Sequence, residues 1–331
     1  NTAIFSDRLS MAMRYQQAVF LDLASVDTGD LELDALKQSA PHWQFYSASE
    51  AHQVVTRLQH ADIAASNKVI LDKPVLTQLP QLKLICITAT GTNNVDTEAA
   101  RELGIEVCNV TKYATASVTQ HVFRLILALA GRLHENHQAA LDGRWSSSPF
   151  FCVLEYPPQE LSDKTLGIIG YGELGKSVAE LARHFGMEVK IARRNEQDNR
   201  QNRLPLQELL PQVDILSLHC PLTADNYHLI DKTALQLLPQ HAAIINTARG
   251  GLVDEAALLQ ALENNTLAAA ALDVLEQEPP DQNNPLLQYP HPNLIITPHI
   301  AWASQQSRQR LLNEVALNIS AYQQGKTRNP V

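Results

Sequence analysis

The sequence predicts an α/β protein of two doubly wound domains, each a parallel sheet with helices on both faces. Three observations carry this. From residue 17 onward, short apolar runs of strand length alternate with stretches of helical spacing, the pattern that builds parallel sheets. The alternation comes in two series, separated by a long apolar-faced segment and a Ser- and Pro-rich stretch. The 331 residues, 45% hydrophobic and 18% charged, suffice for two domains of ordinary size.

In the first series QAVFLDL (17–23), WQFYS (43–47), DIAAS (62–66), KLICITAT (83–90) and IEVCNV (105–110) read as strands. GDLELDALKQ (29–38), SEAHQVVTRLQ (49–59) and TEAARELG (97–104) have helical spacing. SVTQHVFRLILALAGRLHENHQAAL (117–141) reads as one long apolar-faced helix, and DGRWSSSPFFCVLEYPPQELSDKT (142–165) as a connecting excursion. The second series has strands TLGIIG (165–170), MEVKIA (187–192), DILSLH (214–219), AAIINT (242–247), AAALDV (269–274) and NLIIT (293–297). Helices fall between most of them, and SQQSRQRLLNEVALNISAYQQG (304–325) is a last helix. Residues 1–13 are expected to be a leader outside the fold. Two such domains predict an active-site cleft between them, with ligands at the carboxyl ends of strands.

The net charge of −9 argues against a broad basic face for nucleic acid or anionic lipid. An anionic small substrate then needs its own local arginine or lysine. The four cysteines, Cys86, Cys108, Cys152 and Cys220, are scattered with no CxxC pair. They suggest neither a disulfide framework nor a metal site, and fit a reducing cytoplasm. The longest apolar run, near Leu125–Ala130, is too short to span a bilayer.

GIIGYGELG (167–175) ends in Gly170-x-Gly172-x-x-Gly175, after an apolar strand and at the start of a helical stretch. That context gives the motif its meaning. Gly170 permits a tight turn, Gly172 lets backbone approach a pyrophosphate, and Gly175 lets helix pack on strand. Backbone amides at the helix start then hold the diphosphate. About 20 residues on, a domain that binds NAD places an acid for the ribose 2′-hydroxyl. Here MEVKIA is followed by Arg193-Arg194-Asn195. Two guanidinium groups in place of a carboxylate favour NADP(H), with NAD(H) the alternative.

Three later strands end in polar groups: Arg249 in IINTARGG, Asp273 and Glu278 in ALDVLEQEP, and His299 in TPHIAW. Reducing a 2-keto acid needs a cation for carboxylate and keto oxygen, a proton donor for the developing alkoxide, and a hydride source. Arg249 has the planar fork for two-point holding. His299 titrates in the useful range, and Glu278 can hold its other ring nitrogen.

The glycine loop, HCPLT (219–223), NTARGG (246–251), DVLEQEP (273–279) and TPHIAWAS (297–304), in this order, resemble the D-isomer-specific 2-hydroxyacid dehydrogenases. The resemblance covers essentially the whole chain after residue 15. HIAWAS together with GTNNVD (91–96) is most similar to the glycerate dehydrogenase, or hydroxypyruvate reductase, branch. It implies a flavodoxin-like substrate domain of 14–113 plus 300–331 and a Rossmann nucleotide domain of 114–299. It implies Arg249, Glu278 and His299 as the catalytic residues, and Thr90, Gly91 and Arg249 as substrate-binding ones; Trp302, three residues past His299 in a turn leading into the last helix, is expected to wall the substrate pocket. The cofactor would be held by Gly170, Gly172, Glu173, Leu174, Gly175, Arg193, Arg194, His219, Pro221, Thr247, Ala248 and Asp273, the last near the nicotinamide carboxamide.

The resemblance further implies reduction of hydroxypyruvate and glyoxylate to D-glycerate and glycolate, and a homodimer joined through the nucleotide domain. No metal, nucleic acid or membrane is expected. Glu173 stands where many members carry arginine, which removes one pyrophosphate contact; Gln120 replaces a common glutamate. The alternatives are D-lactate-, phosphoglycerate- or formate-type dehydrogenases, or a dinucleotide-sensing corepressor-like binding protein.

Overall fold

The computed structural model describes residues 15–195 and 197–331, so the expectation for 1–13 lies outside the described residues. The chain forms two compact units: the described residues up to Ala114 with Ala303–Val331, and Thr115–Trp302. The division leaves Ile300, Ala301 and Trp302 in the second unit, whereas the sequence put the crossover before Ile300.

The first unit runs β1 (Gln17–Phe20), α1 (Asp34–Gln38), β2 (His42–Phe45), α2 (Ala51–Leu58), β3 (Ile63–Ser66), α3 (Lys73–Leu76), β4 (Leu84–Ile87), α4 (Thr97–Glu102) and β5 (Glu106–Cys108). Its sheet is parallel throughout, in the order β2-β1-β3-β4-β5. β3 and β4 are buried along their whole length, as strands covered on both faces must be.

Two elements differ from the sequence reading. The helix expected over 29–38 begins only at Asp34, because the Asp27 carboxylate accepts the amides of Gly29, Asp30 and Leu31 and winds that stretch into a turn. The short α3 was not foreseen. Asp72 caps it through the Val75 amide, and Pro74 supplies a preset φ in its first turn.

The second unit begins with α5 (Thr115–Ala130) and α6 (Leu133–Leu141). The single helix expected over 117–141 is thus two. Arg132 takes the left-handed conformation at φ 49°, and the Asn136 amide group donates to the carbonyls of Gly131, Arg132 and Tyr156. Gly131, a weak helix former directly after Ala130, together with the Asn136 side chain that satisfies the freed carbonyls, ends the first helix.

After the irregular excursion come β6 (Thr165–Ile169), α7 (Glu173–His184), β7 (Glu188–Ile191), α8 (Leu206–Leu209), β8 (Ile215–Leu218), α9 (Lys232–Leu237), β9 (Ala243–Asn246), α10 (Glu255–Glu263), β10 (Ala269–Leu272) and β11 (Leu294–Ile296). This sheet too is parallel, in the order β11-β10-β9-β8-β6-β7. The chain then returns to the first unit as α11 (Gln305–Gln323), whose Leu311, Leu312, Val315, Ala316 and Ile319 form the buried stripe of an amphipathic helix.

In each sheet the strand order reverses once, between β1 and β3 and between β6 and β8, and such a reversal opens a crevice at the carboxyl ends. The first unit closes its own. The Asp22 carboxylate, 5% exposed, accepts the amides of Asn67 and Lys68 just past β3. In the second unit the crevice is formed by glycines. Gly170, at φ 92°, lies so close to the backbone of His219 that a Cβ would stand 2.5 Å from its carbonyl carbon. A Cβ on Gly175 would stand 2.1 Å from the Gly170 oxygen, whereas one on Gly172 would meet nothing.

Gly175→Ala should therefore cost about 1–3 kcal/mol of stability by overpacking. Gly172→Ala should stay within about 0.5 kcal/mol of the parent. Denaturant midpoints of the two variants check this, and equal losses would refute it.

Candidate active site

The three strands that end in polar residues, β9, β10 and β11, are neighbours in the second sheet. Their ends meet around Asp273, which follows β10 and is 1% exposed. Its Oδ1 accepts from the Thr297 hydroxyl at 2.5 Å and the Ile300 amide at 2.9 Å, and its Oδ2 accepts from the Ala301 amide at 2.8 Å. Its backbone carbonyl accepts the His299 amide at 2.8 Å. Three consecutive amides, 299 to 301, thus converge on one residue. Burial by itself drives the Asp273 carboxyl up, but donation from His121, Thr297, Ala301 and Ile300 outweighs it and holds the carboxyl below its ordinary value.

This turn presents His299 in the left-handed region, at φ 52°. Histidine is among the few side-chain-bearing residues that visit that region, and there it persists only where the surroundings over-determine it. The His299 Nδ1 donates to Glu278 Oε2 at 2.6 Å, while Glu278 Oε1 accepts the Leu275 amide at 3.1 Å. Both side chains keep about a third of their surface, 31% and 35%. The carboxylate fixes the proton on Nδ1 and leaves Nε2 for chemistry. Trp302 is half-buried, and its indole donates to the His299 carbonyl at 3.0 Å, clasping the same turn.

Arg249 is exposed just past β9. The Asn246 side chain spans its loop, donating to the Arg249 carbonyl at 2.9 Å and accepting the Ala248 amide at 3.0 Å. The next residue, Gly250, lies against the backbone that leads to Glu278: a Cβ there would stand 1.9 Å from the Leu275 carbonyl carbon. The loops of Arg249 and Glu278 are therefore in direct main-chain contact.

Two contributors escaped the sequence reading. Gly250 was legible only as half of a Gly-Gly pair. His121 lies on the buried face of α5 with Val118, Val122 and Leu125, 1% exposed. Its Nε2 is 3.0 Å from Thr297 Oγ1 and 3.3 Å from Asp273 Oδ1. An imidazole on an otherwise apolar stripe was the available signal.

At the other end of the second sheet, the glycine loop leads into α7, whose first residue, Glu173, is hydrogen-bonded to Thr115; Leu174 follows, half-buried. The His219 amide donates to the Ile169 carbonyl at 2.7 Å. Burial of its ring pushes His219 down to about 4, so it is neutral at pH 7, its Nε2 paired with Ser217 at 2.8 Å. Pro221 accepts from Asn226 through its carbonyl. The Thr247 hydroxyl is buried without a protein partner.

Arg193 and Arg194 are both exposed past β7. The absence of a carboxylate there needs correction. Asp198, 8% exposed, folds back onto this loop, but it accepts the Arg194 amide and a two-point contact from Arg200. The Arg203 guanidinium lies 4.5 Å above the Tyr171 ring of the glycine loop. In the first unit, Thr90 is exposed past β4, donates its hydroxyl to the Val110 carbonyl at 2.8 Å and accepts from the Asn109 side chain through its carbonyl at 2.8 Å.

Residues 123–301 match the family model of the D-isomer specific 2-hydroxyacid dehydrogenase NAD binding domain. The chain belongs to the D-isomer specific 2-hydroxyacid dehydrogenases. It is 42% identical to a glycerate dehydrogenase of Methylorubrum extorquens over 96% of this chain and 99% of the relative. It is 36% identical to a hydroxypyruvate reductase of Blautia hydrogenotrophica over 95% and 98%. Among solved structures it is similar to an NADPH-dependent glyoxylate/hydroxypyruvate reductase of Sinorhizobium meliloti in complex with NADP and malonate. That likeness has a TM-score of 0.80 and 26% identity, covering 96% of this chain and 97% of the other.

For a dehydrogenase of this family the second unit is the nicotinamide-dinucleotide unit, and its residues fit that ligand. The space above Gly172 is open, α7 turns its amino end to the loop, and the buried Thr247 hydroxyl lacks a protein partner. Among the described residues there is no cluster of three or more metal-ligating side chains, and no helix long and apolar enough to cross a membrane.

The contact at Gly250 yields a direct test. Gly250→Ala must push the Arg249 loop away from the Glu278 loop. Turnover should fall on the order of 10²-fold, as for reacting groups displaced by about an ångström. Far-ultraviolet dichroism should be retained, and undiminished turnover in the folded variant would show the two loops to be independent.

Proposed function

We propose that the protein reduces hydroxypyruvate, and glyoxylate as a smaller substrate, to D-glycerate and glycolate, with NADPH preferred to NADH. The observation that carries this reading is the His299–Glu278 pair on a turn suspended from Asp273, with the Arg249 loop in main-chain contact beside it. The relatives named for glycerate, hydroxypyruvate and glyoxylate support the substrate class.

Arg249 binds the carboxylate and keto oxygen of the substrate, and the backbone of Thr90 and Gly91 is assigned to the carboxylate. The bound nicotinamide supplies the hydride that reduces C2. As charge develops on the keto oxygen, His299 donates the proton held at Nε2, and Glu278 keeps the ring oriented through Nδ1. In the reverse direction the same nitrogen takes the hydroxyl proton back. Trp302 forms a wall of the substrate pocket. Gly170, Gly172, Leu174 and Gly175 approach the diphosphate, with Glu173 contributing no cation. His219, Pro221, Thr247, Ala248 and Asp273 face the remainder of the dinucleotide.

Arg193 and Arg194 carry the cofactor preference. A 2′-phosphate gains charge-assisted bonds from guanidinium groups there, and Asp198 is already engaged by the loop. The solved NADP complex of a relative fits the same reading. We also assign a cytoplasmic homodimer joined through the second unit. Leu133, Leu141, Trp145, Phe150, Phe151 and Leu154 of α6 and the excursion are exposed, Phe151 to 91%, while the Trp145 indole bonds the Phe151 carbonyl. Aromatic rings presented to water on one segment support that reading.

Two experiments test this reading. Oxidation of NADPH should depend on hydroxypyruvate and glyoxylate, and His299→Ala should lower turnover about 10²–10⁴-fold while cofactor still binds. Near-normal turnover in that variant would remove His299 from the chemistry. The parent should prefer NADPH by about 10–100-fold in kcat/KM, and Arg193→Asp should reverse much of that ratio. A parent that prefers NADH, or a variant with an unmoved ratio, would end the NADPH assignment.

A further inference from the structure

We propose that His121, backed by Arg124, is a positioning residue for the reduction: through Thr297 and the Asp273 carboxylate it holds the turn that presents His299. This rests on His299 being the proton donor.

The argument begins with cost. An imidazole buried to 1% exposure on a helix face otherwise made of Val118, Val122 and Leu125 destabilises unless its polar atoms are matched. Both ring nitrogens of His121 are. Arg124 approaches Nδ1 at 3.1 Å. A guanidinium can only donate, so Nδ1 is the acceptor and the ring's single proton sits on Nε2. The tautomer with hydrogen on Nε2 is thus the one these contacts select.

That hydrogen faces Thr297 Oγ1 at 3.0 Å and Asp273 Oδ1 at 3.3 Å. Thr297 in turn donates to the same carboxylate oxygen. Arg124, His121, Thr297 and Asp273 therefore form one directed chain from an exposed cation to a buried anion.

What the chain holds is the conformation at His299. The amides of 299, 300 and 301 end on Asp273, two on its carboxylate and one on its carbonyl. The carboxylate keeps its plane only while its donors from the helix side are in place. Without His121, the Thr297 hydroxyl is free to rotate and Oδ1 loses a donor. The strained φ at His299 then loses part of what over-determines it. Glu278 belongs to a separate loop and still reaches for Nδ1, so the defect is misalignment of His299 Nε2 rather than loss of the pair. Arg124 is exposed, so its effect is exerted through the imidazole rather than through packing.

The test combines variants with a direct view of the ring. In the parent, ¹⁵N shifts of His121 should show the tautomer protonated at Nε2. His121→Phe, which keeps the ring volume, should lower kcat on the order of tenfold or more by displacing a catalytic group. The loss in kcat should exceed any change in the dissociation constant of NADPH. His121→Gln, which puts an N–H near the position of Nε2, should recover a large part of kcat. Arg124→Met should lower kcat in the parent and have no further effect in His121→Phe.

A parent ring protonated at Nδ1, full kcat in folded His121→Phe, equal losses of kcat and NADPH affinity, or additive effects of the two variants would each overturn the inference. If His121→Phe does not fold, the parent tautomer and Arg124→Met alone decide, and full kcat in Arg124→Met then counts against it. His299→Ala separates the levels. Turnover retained there removes the catalytic assignment itself, whereas an inactive His299→Ala beside a fully active His121→Phe removes only the role of His121.

Discussion

The structure depends on one buried carboxylate. Leaving Asp273 unpaired in the interior would cost several kcal/mol. A hydrogen bond to a charged group returns about 1.5–3 kcal/mol each, so four donors more than offset the penalty. The donors come from two other segments, α5 and the turn after β11. The charge therefore tolerates only one arrangement of those segments. That is how a residue remote from the surface dictates the backbone of the half-buried His299.

A second constraint works by the absence of side chains. Gly170, Gly175 and Gly250 each lie where a Cβ would fall inside a neighbouring main chain. At Gly170 and Gly175 the result is a loop pressed onto strand and helix, with the open space above Gly172 left for a ligand. At Gly250 it is a junction between the loops of Arg249 and Glu278. Main-chain contacts are stiffer than contacts between flexible side chains, and so the cation and the imidazole's partner keep their spacing.

Much of this was readable in the residues. The order of strands and helices followed from periodicity, because strands buried on both faces leave unbroken apolar runs. The polar residues at the ends of β9, β10 and β11 stood out against those runs, and Arg193-Arg194 against the acid expected there. The unread parts are those decided by distant partners. Nothing near Gly131 says that Asn136 will satisfy the carbonyls freed by a break. The late start of α1 is the exception, a local signal: Asp27 stands two residues before Gly29 and gathers three amides. Nothing near β7 says that the loop will bring Asp198 back to the Arg194 amide. His121 had the hydrophobic spacing of its neighbours, and only the approach of α5 to β10 reveals what it holds.

The two reversals of strand order carry a thermodynamic asymmetry. The first unit brings its own anion, Asp22, to the amides at its crevice. Those amides are satisfied from within the chain. In the second unit no carboxylate among the described residues plays that part at the glycine loop, the space above Gly172 is open, and the buried Thr247 hydroxyl has no protein partner. The stability of this unit therefore rises with the logarithm of free dinucleotide, by about 2.7 kcal/mol at a hundredfold excess over the dissociation constant. When dinucleotide is scarce, open and unfolded states of the second unit gain population, so its resistance to unfolding and proteolysis tracks the concentration of its ligand.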